Sequence, residues 1–109
     1  MARANHNQRV LKLLADRGYI AAVVEKYDSF SGRTHDLFGF LDVLAVGGGE
    51  TLGVQVTSRS NMASRRRKIR DAPELGELLL AGWHIELWGY DQPNGPRTAW
   101  RLKTEDIDQ

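Results

Sequence analysis

Apolar and polar positions change period along this chain, and each change marks an element. Residues 7–17 place Val10, Leu11 and Leu14 on one helical face, with Leu13 at its margin. Gly18 follows, where a helix end favours left-handed backbone, so an amphipathic helix is expected. Residues 19–27 are rich in β-branched and aromatic side chains and predict a strand. Ser29, Ser31 and Gly32 mark residues 28–34 as loop. Residues 35–46 and 51–57 predict two further strands. The Gly47-Gly48-Gly49-Glu50 turn between them tolerates positive φ, so an antiparallel hairpin is the expected pairing.

Helical composition returns over residues 61–70, with Ser60 or Asn61 as N-cap. Pro73 interrupts it, and residues 74–81 predict a second helical piece ending at Gly82. Residues 83–90 predict a fourth strand, in which Trp88 and Tyr90 alternate with Ile85 and Leu87. A turn cluster covers 91–96, a shorter fifth strand 98–103, and a polar tail the rest. Helices flanking a hairpin-built sheet make a mixed α/β (α+β) sandwich. The fourth strand follows a helical crossover, so it can pair in parallel with an earlier one.

At 109 residues, with 41% hydrophobic and 27% charged, the chain is read as one globular domain over 1–109. It contains no cysteine, which excludes a disulfide scaffold, a thiolate zinc site and a cysteine nucleophile. The polar start from Met1 to Gln8 lacks an apolar signal core, and no segment approaches a membrane span. A soluble, cytoplasmic protein is expected. Net charge is only +1, but six of the 15 basic residues fall between Arg59 and Arg70 with no acid among them: Arg59, Arg65, Arg66, Arg67, Lys68 and Arg70. Such a strip either holds phosphates or forms a solvated helix face.

Two polar residues break apolar runs. Asp42 sits inside Phe40-Leu41-Asp42-Val43-Leu44, and Gln55 inside Leu52-Gly53-Val54-Gln55-Val56. If its strand is regular, Asp42 shares a face with Asp36, Phe38, Phe40 and Leu44. A buried carboxylate must be paired, hydrogen-bonded or metal-bound. Oxygens from Asp42 and Gln55 on neighbouring strands can meet at one hard cation, Mg²⁺ or Mn²⁺. They can equally form a structural hydrogen bond, or Asp42 can pair with an arginine. Other chemistries find little support. His6, His35 and His84 lack metal spacing, and Ser58 and Ser60 lack a visible His/Asp arrangement. The glycine turn has no following Lys-Ser/Thr.

The segment Asp42-Val43-Leu44-Ala45-Val46, a turn, then Gly53-Val54-Gln55-Val56-Thr57 resembles the D…(E/Q)-x-K core of PD-(D/E)xK, restriction-endonuclease-like nucleases. It is similar to archaeal-type Holliday-junction resolvases and type IV restriction catalytic domains. The stretch from Val24-Glu25-Lys26 through Asp36-Leu37-Phe38-Gly39-Phe40 to Ser58 also resembles small phage-type members. The likeness covers roughly residues 8–90 and includes an αβββαβ element order.

The resemblance implies a metal-dependent DNA endonuclease. Asp42 is then the central metal-binding carboxylate, Gln55 takes the second acidic position, and the Val56 carbonyl completes the protein ligands. The catalytic lysine falls on Thr57, which cannot supply a cation, so Arg59 or Lys68 would have to replace it. The family's glutamate on the first helix has no clear equivalent, since Asn5, Asn7 and Gln8 occupy that region. Glu25, or else Asp36, can stand in, or each can form a plain salt bridge. Arg59, Arg65, Arg66, Arg67, Lys68 and Arg70 would hold the DNA backbone. Cutting both strands implies a homodimer, to which Trp83, Trp88 and Tyr90 can add apolar surface unless they serve the core. The alternatives are a non-catalytic DNA-binding module and an assembly protein with a purely structural Asp42–Gln55 pair.

Overall fold

A computed structural model describes residues 6–108. Helix α1 (His6–Asp16) leads into strand β1 (Ile20–Val23) and a small hairpin, β2 (Lys26–Asp28) with β3 (Arg33–His35). Strands β4 (Val43–Gly47) and β5 (Glu50–Ser58) follow, then a 3-10 turn at Arg59–Asn61. Helices α2 (Met62–Asp71) and α3 (Leu75–Leu80) cross over to β6 (His84–Asp91), and β7 (Arg101–Ile107) closes the sheet.

The sheet runs β1-β4-β5-β6-β7. Only β5 and β6 pair in parallel, Gln55 opposite Leu87, as expected for a strand that follows a helical crossover. The β4–β5 hairpin turns through Gly48 and Gly49, both at positive φ, and pairs Val43 with Val54. Each face of the sheet buries its own cluster. Val10 and Leu14 of α1 pack on Val43, Ala45, Leu52, Val54, Trp88 and Tyr90. Met62, Ile69, Leu75 and Leu78 of α2 and α3 cover Phe40, Leu41, Ile85 and Leu87. Trp88 and Tyr90 therefore serve the core. The second helix layer approaches closely because Gly89 lacks a side chain. A Cβ there would collide with Met62 Sδ. Among the described residues, no helix is long and apolar enough to cross a membrane.

Three expectations need correction. The strand expected over 19–27 is two strands, parted at Val24 and Glu25. The strand expected over 35–46 is interrupted by a turn in which Leu37 bridges Leu41, with Phe38 at φ 55° and Gly39 at φ 82°. Asp36 therefore reaches Asp42 by chain reversal and not by strand alternation. The tail is not loose either. Residues 101–107 form an edge strand along β6, because Ile107 enters the core and Glu105 receives Arg66. Asn61 occupies the N-cap position of α2 without a side-chain cap; Ser64 Oγ instead donates to the Asn61 carbonyl at 3.0 Å.

Candidate metal centre

The site forms where β4 begins and β5 ends. Asp42 immediately precedes β4, and its backbone joins two neighbours. Its N–H donates to the Val54 carbonyl at 2.9 Å, and its carbonyl accepts the Val24 N–H at 2.8 Å. These bonds fix the side chain, which is only 5% exposed. Its Oδ2 accepts the Val56 N–H at 2.8 Å and Gln55 Nε2 at 2.6 Å. The expected Asp42–Gln55 convergence is thus present. In this arrangement Gln55 Oε1 is buried without a hydrogen-bond partner.

Two more carboxylates arrive through the two interrupted strands. Glu25 sits at the break between β1 and β2, and Asp36 at the entry to the Leu37–Leu41 turn. One oxygen from each of Glu25, Asp36 and Asp42 lies within 4.8 Å of the others. Asn7, on the first turn of α1, donates Nδ2 to Glu25 Oε2 at 2.8 Å. The first helix therefore reaches the site through an amide that positions Glu25. Asn5 lies outside the described residues.

The electrostatics follow from this crowding. The Asp42 carboxyl is raised from its ordinary value to about 7, chiefly by burial and against the lowering effect of the Val56 N–H. The charge of Asp36, a hydrogen bond that the protonated Asp42 donates to that carboxylate, and the charge of Glu25 contribute in the same direction. A divalent cation would relieve this repulsion. Hard cations favour clustered oxygens, and turning the Gln55 amide over would present Oε1 beside Asp42, ending its isolation. The clustered oxygens of Glu25, Asp36 and Asp42, with the Gln55 amide beside them, therefore fit a hard divalent cation.

The cluster opens into a cleft of about 820 Å³ that is also lined by His6, Thr57, Asn61, Arg65 and Lys68. Thr57 is buried and has no charge to offer. Lys68 Nζ lies 3.4 Å from Asp36 Oδ2, so the helix does bring a lysine to the carboxylates. Arg59 does not fill that place, because it turns away to Asp91, 3.8 Å distant.

The basic strip is likewise divided by helical phase. Arg65 and Lys68, three residues apart, face the cleft. Arg66 forms a bidentate pair with Glu105, and Arg70 donates to the Asp108 carbonyl at 2.9 Å, both along the β7 edge. Arg67 is exposed. The strip as a whole therefore does not present one phosphate-binding face. Asn7 is the site residue for which the sequence suggested no role, and Asp36 reaches the cluster by a route other than strand alternation. The glycine at position 39 was the one local sign of the reversal that delivers Asp36.

No protein-family sequence pattern and no curated protein matches the chain. A solved structure does: the Holliday junction resolvase Hjc from Archaeoglobus fulgidus, at 19% identity and a TM-score of 0.52. The match covers 89% of this chain and 72% of the resolvase. A mixed five-stranded sheet between helix layers, superposable on that resolvase, gives the protein the restriction-endonuclease-like fold.

Proposed function

We propose that this protein is a divalent-metal-dependent DNA endonuclease that hydrolyses phosphodiester bonds in branched or duplex DNA, with the chain acting as one nuclease-like domain. The observation that carries this reading is the meeting of Glu25, Asp36, Asp42 and Gln55 in an open cleft beside Arg65 and Lys68. The fold shared with a Holliday junction resolvase supports branched DNA as substrate.

A bound Mg²⁺ or Mn²⁺ would supply polarisation of the scissile phosphate and a water acidic enough to ionise near neutral pH. The protein's own groups do the remaining work. Asp42 gives up its proton as the ligand set assembles, while the Val56 N–H keeps its carboxylate aimed at the cleft. Asn7 holds Glu25 in place. Lys68 takes the role that Thr57 cannot, placing a positive charge beside the reacting phosphate. Arg65 grips the DNA backbone, a contact that gives affinity and salt dependence but no sequence choice. Two copies related by a two-fold axis would allow both strands to be cut.

The direct test is cleavage of supercoiled plasmid and of a four-way junction with Mg²⁺ or Mn²⁺. Wild type should give nicked or linear product, and chelator or Asp42→Ala should abolish it. A second reading, a DNA-binding module without catalysis, draws on Thr57 in the lysine position and on Lys68 already engaged with Asp36. Salt-dependent binding without cleavage by folded wild type would establish that reading in place of the first. A folded protein that binds neither DNA would remove both.

A further inference from the structure

A second recess of about 480 Å³ opens beside the metal cleft, where β5 and β6 end. Arg59, Tyr90, Asp91 and Trp100 line it, and Ser58 borders both hollows. Ser58 lies three residues beyond Gln55, roughly 10 Å along an extended strand. Side chains of α1 contact both rings, Tyr90 and Trp100. His6 stacks on Tyr90 with centroids 4.8 Å apart and meets Trp100 edge-on at 4.6 Å. The Arg9 guanidinium lies over the Trp100 ring, 4.8 Å from its centroid. His6 also lines the metal cleft, so the two hollows meet at His6 and Ser58. The acid in the recess is matched: Asp91 receives Arg101 through both oxygens, at 3.1 and 3.2 Å, and Arg59 at 3.8 Å.

Tyr90 belongs to the core, so the partly exposed Trp100, with arginines at its edge, is the ring that has the chemistry of a seat for a nucleobase. Every base has a π-face to lay on it, and the cations can follow the backbone. A paired base must leave its stack to reach such a seat, which costs least where the strand is already unpaired. We propose that this recess holds an unpaired nucleobase of the strand whose phosphate occupies the metal cleft. The preferred substrate then carries an unstacked nucleotide next to the cleavage point. This inference rests on the nuclease reading, because it needs a DNA strand in the cleft.

The test is binding in chelator, where cleavage cannot interfere, read by fluorescence anisotropy. The probes are a short single-stranded oligonucleotide, the same strand with abasic sites, and a blunt duplex. Wild type should hold the intact strand about tenfold more tightly than the abasic one, the effect expected of one stacked base. Trp100→Ala should erase that difference and leave duplex affinity within about twofold, and Trp100→Phe should keep it. Equal binding of intact and abasic strands by wild type would overturn the proposal, whatever the variants do. So would a preference that survives in folded Trp100→Ala. Cleavage without base preference would count against the seat alone. Base preference without metal-dependent cleavage would support the seat and count against the catalytic reading alone.

Discussion

Replacing Asp42 by asparagine should stabilise the metal-free protein at pH 8. In the folded protein the Asp42 carboxyl is raised from 3.8 to about 7, chiefly by burial and then by Asp36 and Glu25. Between these two values the folded chain keeps a proton that the unfolded chain releases, so wild-type stability falls as pH rises through that window. At about 1.4 kcal/mol per tenfold, the whole gap corresponds to about 4 kcal/mol. Relaxation and water entry from the open cleft reduce this, and about 2 kcal/mol is a fair expectation. The asparagine can keep the Val56 N–H bond through its oxygen. That same oxygen stays the acceptor of Gln55 Nε2. Thermal unfolding in chelator should therefore show the Asp42→Asn variant melting about 8 °C or more above wild type at pH 8. The gap should shrink by more than half at pH 5. Saturating Mn²⁺ should raise the midpoint of wild type and leave the variant unmoved. A variant that melts at or below wild type at pH 8, or a gap that does not narrow on acidification, would refute the reasoning.

Other substitutions separate the remaining roles. Lys68→Ala should lower turnover on the order of 100-fold with far less change in DNA affinity; equal losses of both, or no loss, would contradict its placement beside the reacting phosphate. Arg65→Ala should reduce the salt slope of DNA binding by about one. Arg66→Ala, whose side chain is committed to Glu105, should leave that slope unchanged and slightly lower the denaturant midpoint. Gly89→Ala should cost about 1–3 kcal/mol by driving a methyl into Met62, and Met62→Ala in the same chain should recover part of the loss.

The sheet was legible in the sequence wherever local pattern and tertiary role agree. Gly48 and Gly49 signalled the β4–β5 hairpin, and Asp42 and Gln55 stood out because the residues on either side of each, Leu41 and Val43 and Val54 and Val56, are apolar. The reversal at residues 37–41 was not legible, since Leu37, Phe38, Phe40 and Leu41 have strand-like composition. It persists because Phe40 and Leu41 are fully buried and Phe38 packs edge-on against Trp83, with ring centroids 6.1 Å apart. That reversal delivers Asp36, and the break at Val24–Glu25 delivers Glu25. The acidic cluster is thus built by two interruptions that side-chain periodicity reads as continuous strand. The polar run at 104–106 looks like a tail, because the groups that hold it on β6, Arg66 and the core around Ile107, lie far away in sequence. Helical spacing within 65–70 does separate Arg65 and Lys68 from Arg66 and Arg70. Which pair meets the cleft is decided only by the way α2 packs through Met62 and Ile69.

The central claim is that one divalent cation joins Asp42, Gln55 and their two neighbouring carboxylates. A crystal soaked in Mn²⁺, with an anomalous difference map, addresses it most directly. The account predicts a single strong peak touching the Asp42 carboxylate, with the Gln55 amide turned so that Oε1 faces the ion. A map without a peak there, and with Gln55 Nε2 still donating to Asp42, would contradict it.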